Sequence, residues 1–472
     1  MKSTAHQFPA QARAALQDQN LQRALAKAKG GFIDKRLAAI GDFPDFEALR
    51  ERGQRIKEHT LEHLDHYLNA FADKVEAAGA TVHWAENADE ACQIVLEICR
   101  EAEARSVIKA KTMAGEEVGV NEALEGAGFE TIESDLGEYI IQLAQEPPSH
   151  IIAPAVHKTR EEITALFDLH HHGRHDVRLR EVPDLVDEAR KVLRQKFLGA
   201  DVGISGANFL VAETGTMALV TNEGNADLST TLPRVHIAMA GIEKLVPNLS
   251  DACAMLRLLG RSATGQDITS YTTFITGPRR AEDPDGPEQM HVVLIDNGRT
   301  RMLGNEFRPM LRCIRCGACL NHCPVYSAVG GHAYGWVYPG PMGSVLTPNF
   351  LGLDASKDLP NACTLNGRCA TVCPVRIPLP DMLRRLRDLQ FESGVTPRAQ
   401  RWGLRLWGWV ARRPSLYHLG ARLGVAALRV LGRGSARSVP LAGGWTSVRD
   451  LPLPQGGTFQ SQWQRRNAGG TR

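Results

Sequence analysis

The sequence predicts an α/β protein: a large domain built on a mostly parallel sheet, then a small α-helical domain organised around cysteines, then a basic helical tail. Three observations predict it. Between Glu51 and Asn297, helix-like stretches alternate with short apolar runs. Seven of the ten cysteines fall between Cys313 and Cys373. From Arg398 onward there are thirteen arginines, no lysine and one acid, Asp450.

The first segment, 1–50, is expected to be helical and connecting, with apolar residues at helical spacing in LQRALAKAKGGFIDKRLAAI. The large domain is expected over 51–300. Its predicted helices are Glu58–Ala77, Ala88–Glu103, Arg160–His170 and Val182–Phe197, interleaved with the apolar runs ATVHW, SVIKA, HIIAP, NFLVAE, TMALVT, VHIAM and HVVLI. Cys92 and Cys99, seven apart on one helix face, read as small buried apolar residues. The cysteine domain is expected over 301–385, rich in Cys, Gly, Pro and aromatics, with a helix in DMLRRLRDLQFESG at its end. In the tail, 386–472, Trp402, Leu406, Trp409 and Val410 fall roughly on one helical face.

A chain of 472 residues with 43% hydrophobic and 23% charged residues is long enough for two to four domains and an ordinary core. The net charge of +2 conceals about +12 on the tail and about −10 on residues 1–397. Such a tail is expected to meet an acidic protein or a membrane surface; no nucleic-acid partner is expected. The N-terminus lacks an apolar stretch of signal-peptide type, and no run reaches the ~18–20 apolar residues that span a bilayer. The expected location is therefore the cytoplasm, with peripheral association at the inner face of the membrane. In that compartment closely spaced cysteines read as metal ligands before disulfides.

Cys313, Cys316, Cys319 and Cys323 are spaced x2, x2, x3 and followed by Pro324, the spacing of bacterial ferredoxins. Three thiolates of such a run reach one iron–sulfur cluster and the fourth reaches a neighbour. A zinc knuckle ordinarily shows two CxxC pairs across a longer loop. Cys363, Asn366, Cys369 and Cys373, followed by Pro374, repeat the register with an amide at the second position. Cluster one is then expected on Cys313, Cys316, Cys319 and Cys373. Cluster two is expected on Cys363, Cys369 and Cys323, with Asn366 facing the fourth iron. A neutral amide oxygen is a poor match for iron in a sulfide cage. Three outcomes stay open: [3Fe–4S], [4Fe–4S] with a labile or non-cysteine-ligated iron, or no second cluster. Two neighbouring clusters relay single electrons and accept no hydride, so this domain reads as a ferredoxin-like wire.

The stretches ESDLGEYIIQLAQEPPSHIIAPAVHKTREEI (Glu133–Ile163) and GISGANFLVAETGTMALVTNEGN (Gly203–Asn225), with the cysteine module and the Arg/Trp tail behind them, resemble the lactate utilisation protein B family. The resemblance covers the chain from about residue 30 to the tail; Asn366 is its departure. It implies a large domain similar to the sugar-phosphate isomerase and CoA-transferase class. It also implies an iron–sulfur subunit of an L-lactate oxidising complex, with a cysteine-rich partner and a smaller lactate-utilisation-domain partner. Whether such a chain is itself a dehydrogenase or a co-catalytic subunit stays open. The alternatives are a redox- or oxygen-sensing ligand-binding regulator, or the same role for another 2-hydroxy acid.

Catalytic residues are not legible. Asn208 with Glu213, Thr214, Gly215 and Thr216 is a candidate anion-binding or ligand turn, weighed against a hairpin corner. Glu133 and Asp135 are candidate helix caps, Lys109 and Lys111 a solvated face, and His150 a turn residue. The run DLHHHGRH (Asp168–His175) is expected to be solvated. No GxGxxG after a strand, P-loop or Ser-His-Asp signature is present, so a flavin or nicotinamide site has no local support.

Overall fold

In the computed structural model, residues 3–171, 181–430, 434–437, 439, 446 and 449–469 are described. The chain divides into two compact units, Met1–Gln390 and Phe391–Arg472.

The first unit is built on a six-stranded sheet of β1 (Thr81–Ala85), β2 (Ser106–Lys109), β3 (Glu130–Glu133), β4 (Val202–Gly206), β7 (Val235–Gly241) and β10 (Gln289–Ile295). Its order is β1-β10-β7-β4-β2-β3, and every pairing is parallel. Parallel neighbours need helical crossovers, and the sequence supplies them in the helices Ala88–Glu101, Val182–Gly199 and Leu249–Ala263, among others. The central strands are buried throughout, as a sheet covered on both faces requires: all of β4 and β7 is buried. Gly203 is obligatory there, because a Cβ would collide with the Ser229 carbonyl. After β2 the chain steps outward to β3, then returns to the other side of β2 as β4. The strand order therefore reverses between β2 and β4, which opens a crevice at their C-terminal ends.

The expected helix Glu58–Ala77 is two helices, Phe46–Glu62 and Leu64–Ala77, broken at His63, whose ψ of 36° leaves the helical region. Two apolar runs also depart from expectation. NFLVAE and TMALVT form β5 (Phe209–Val211) and β6 (Thr216–Thr221), an antiparallel pair in a separate four-stranded sheet with β8 (Leu245–Val246) and β9 (Tyr271–Ile275), ordered β8-β5-β6-β9. Their connection is too short for a parallel crossover. HIIAP is not a strand. Pro147 and Pro148 precede it and Pro154 ends it, and the His150 Nδ1 accepts the N–H groups of Ile152 and Ala153 that a ladder would use. Cys92 and Cys99 are buried, as their helix face implied.

The cysteine module shares one core with the rest of the unit. Phe46, Leu49 and Ile56 from the N-terminal helices and Met255 and Leu258 from the helix Leu249–Ala263 pack in the same cluster as Cys316, Cys369 and Cys373. The second unit holds the helices Arg398–Ala411 and Pro414–Val430, a two-residue strand pair and the helix Phe459–Gly469. Trp402, Leu406 and Trp409 are exposed on the first of these helices, with Arg413 stacked 4.0 Å over the Trp409 ring.

Candidate metal centre

The two cysteine motifs fold as one unit written twice, fifty residues apart. Each follows a 3-10 turn, Arg308–Arg312 or Leu359–Asn361. Each then places a non-glycine residue in the left-handed region, Arg315 (φ 58°) or Leu365 (φ 55°), and a glycine two residues later, Gly317 (φ 71°) or Gly367 (φ 81°). A short helix follows, Ala318–Asn321 or Arg368–Val372. Alternation of this kind turns backbone N–H groups toward the inside of the loop, a concavity suited to an anionic group.

Cys313, Cys316 and Cys319 of the first motif line one small cavity together with Cys373 of the second. Cys323, from the first motif, groups with Cys363 and Cys369: after burial, these neighbours are what raise the Cys369 thiol, to about 12. All seven are free thiols. Burial, and then their mutual proximity, pushes most of them up, so a bound cation is needed to hold them as thiolates. The fourth cysteine of each motif accepts a backbone N–H: Cys323 from Tyr326 at 3.5 Å, Cys373 from Ile377 at 3.3 Å. Asn366 is exposed, and its Oδ1 accepts the Arg368 N–H at 3.1 Å.

Arginines from the N-terminal helices clamp the second motif. Arg50 donates to the carbonyls of Cys373 (2.7 Å) and Thr371 (2.9 Å), and Arg36 to that of Val372 (3.0 Å). On the other side the first motif is tied to the large domain. The Arg315 guanidinium lies 4.7 Å over the Tyr338 ring and 3.2 Å from Glu243. Glu243 also accepts from Arg299 at 2.5 Å, and Arg299 pairs bidentately with Glu117 at 2.8 and 2.9 Å. Burial alone would raise the Glu243 carboxyl, but Arg299 and Arg315 overcome it and hold the group down at about 2. The chain Glu117–Arg299–Glu243–Arg315 is therefore a buried network of mutual ion pairs, as such groups require. Sequence reading missed all of it; Arg315, inside a cysteine motif, was the one visible signal.

A second cavity, of about 250 Å³, lies at the β2–β4 crevice. Asn208 lines it, as do Lys111 and Asp135. Glu213, Thr214, Gly215 and Thr216 do not: they form the β5–β6 corner, where Gly215 packs against the backbone of Lys74 and Val75. Asp135 caps the helix Leu136–Ala144 by accepting the Glu138 N–H. Glu133 is not a cap but faces Lys109 at 2.8 Å, and Lys109 is fully buried rather than solvated. Burial opposes the Lys109 charge, yet Glu116, Glu133 and Glu138 more than offset it and raise its pKa. His150 is buried, stacked on Phe32. Of the run from Asp168, residues 172–175 lie outside the described residues; His170 is exposed, and His171 is buried against Tyr139 at 2.9 Å.

The sequence matches the LUD domain over residues 68–295, a 4Fe-4S dicluster domain over 309–377, and the lactate utilisation protein B C-terminal domain over 388–468. It is 41% identical to the lactate utilization protein B of Bacillus pumilus, over 99% of this chain and 98% of that one. It is 40% identical to an uncharacterized electron transport protein of Escherichia coli, with the same coverage. A crystal structure of a DUF162 family protein from Deinococcus radiodurans aligns with 49% of this chain and 98% of that one, at 14% identity and a TM-score of 0.28.

Proposed function

Because the chain belongs to the lactate utilisation protein B family, we propose that it is the iron–sulfur electron-transfer subunit of a multi-subunit system that oxidises L-lactate to pyruvate and passes electrons toward a membrane acceptor. The observation that carries this reading is the cavity lined by Cys313, Cys316, Cys319 and Cys373, which would draw one cluster's ligands from both motifs. Cys323, Cys363 and Cys369 would hold a second cluster, with Asn366 at the remaining position. Such groups, when bound, take and give one electron at a time and accept no hydride.

This chain's residues set the conditions for that relay. The left-handed turns at Arg315–Gly317 and Leu365–Gly367 aim N–H groups inward. Arg36 and Arg50 add positive charge beside the second motif, favouring the reduced state there. Ile151, Met342 and Leu379 keep water from the first cavity. A cysteine-rich subunit and a smaller lactate-utilisation-domain subunit are the proposed partners. The exposed tryptophans and the arginines of the tail fit docking at the inner face of the membrane or on an acidic protein surface. No helix among the described residues is long and apolar enough to cross a membrane.

The test is anaerobic reconstitution with the partners, followed by L-lactate. Visible cluster absorbance should bleach, and EPR should report two centres; zinc-loaded or colourless protein overturns the reading. Exposure of the Asn366 loop favours a second reading, a sensor of redox state or oxygen. In that case the spectrum responds to oxygen and not to L-lactate. Flotation with anionic vesicles, repeated after deletion of 398–472, tests the tail: unchanged association removes its membrane role.

A further inference from the structure

We infer that the cavity at the β2–β4 crevice binds a small organic carboxylate, of the size of a 2-hydroxy or 2-oxo acid, directly behind the first cysteine loop. The inference rests on the electron-transfer reading for its ligand class and on independent geometry for its place. The cavity opens where the strand order reverses, the position at which parallel sheets offer backbone and side chains to ligands. Its volume of about 250 Å³ admits a three- to six-carbon acid. It falls short of the roughly 300–1,000 Å³ of pockets for drug-sized ligands.

Its cations are not locked in close pairs. Lys111 follows β2 and Lys244 follows β7, and both line the cavity. Lys111 lies in the field of Glu138 and Glu223, and Lys244 in that of Glu243, which leaves their N–H groups for a ligand oxygen. β2 and β7 flank β4, so they run about 10 Å apart, close enough for two long side chains to converge on one anion. Asp135 and Glu223 also line the cavity, accepting the N–H groups of Glu138 and Leu136 at 3.1 Å each, so a bound anion must sit on the side of the lysines. Asn208 uses its carbonyl on the Val220 N–H at 3.0 Å, leaving its NH2 for a ligand oxygen.

The cavity is also next to the metal centre. Ile151 and Arg315 line both it and the cavity of Cys313, Cys316, Cys319 and Cys373. A carboxylate held by Lys111 and Lys244 therefore sits one side-chain layer from the first cysteine loop.

The experiment is anaerobic calorimetric titration of the full, cluster-loaded chain with pyruvate and L-lactate, with sulfate as the ionic control. Saturable binding of one carboxylate per chain is expected, with sulfate weaker. K111Q and K244Q should each weaken it by about tenfold, the worth of one charge-assisted hydrogen bond. A low-temperature EPR shift of one centre on pyruvate addition should vanish in both variants. Iron content and melting temperature report folding; if K244Q loses its clusters, K111Q alone decides. Absence of carboxylate binding, or binding unchanged in K111Q, overturns the inference. If pyruvate binds but L-lactate fails to bleach the reconstituted system, the electron-transfer reading falls and the site stands. Bleaching without binding to this chain does the reverse.

Discussion

The two cysteine loops share the same pair of left-handed positions and have opposite surroundings. In the first, Ile314, Arg315, Cys316, Gly317 and Ala318 are buried, and a Cβ on Gly317 would meet Ile152 at 3.2 Å and His150 at 3.3 Å. In the second, Thr364, Leu365 and Asn366 are exposed, and a Cβ on Gly367 would meet nothing within 4 Å. One loop is an interior part of the large domain; the other faces out. The same motif thus serves two roles. Packing against His150, Ile151 and Ile152 fixes the first beside the β2–β4 cavity, whereas the second lies at the surface. The amide, Asn366, stands in the outward, exposed loop.

The sharpest way to break this contrast is to exchange the distinguishing residue. C316N should remove the first cluster and destabilise the fold. Residue 316 is only 8% exposed, and an unsatisfied amide there costs about 1–3 kcal/mol on its own. Iron content unchanged in C316N would show that this cavity holds no cluster. N366C should convert a three-iron or labile second centre into a stable four-iron one, read as iron and sulfide per chain and by EPR, with little change in melting temperature. A gain of no iron and no spectral change would leave the second site without a cluster.

A smaller effect separates the packing. G317A and G367A both force alanine into a left-handed conformation, at about 1–2 kcal/mol. G317A adds about 1–3 kcal/mol of overpacking, so denaturant midpoints should fall further for it than for G367A. Equal losses would mean the loops are equally free. The smallest effect is in pH dependence. Burial holds the His150 imidazole down at about 4, where its Nδ1 accepts two N–H groups and its Nε2–H donates to Asn321 at 3.0 Å. Its folded pKa lies below its unfolded one. The stability it lends is thus complete above about pH 6.5 and lost as pH falls toward 4, up to about 3 kcal/mol. H150Q should flatten that part of the stability–pH curve; an unchanged slope assigns it elsewhere.

Much of the fold was legible because periodicity and burial coincide in it. The helix Arg160–His170 matches its predicted span, and VHIAM and HVVLI are adjacent strands of the parallel sheet. The dicluster domain was legible because cysteines at that spacing have one dominant use. What failed was non-local. HIIAP is apolar because it wraps the first cysteine loop, and a single strand-like run cannot reveal its partner. Lys109 and Lys111 look equally solvated in the sequence. Only the return of β4 beside β2 buries one among carboxylates and sets the other at a cavity wall. Glu117, Arg299, Glu243 and Arg315 are far apart in the chain, and nothing local marks them as one network.

The arginine clamps from the first fifty residues to the second motif carry a further consequence, for biosynthesis. Arg36 and Arg50 leave the ribosome more than three hundred residues before the carbonyls of Val372 and Cys373 that they grasp. Contacts so remote close slowly. The arginine clamps are therefore completed only once Val372 and Cys373 have emerged, which makes closure of the second motif onto the opening helices a late step of folding.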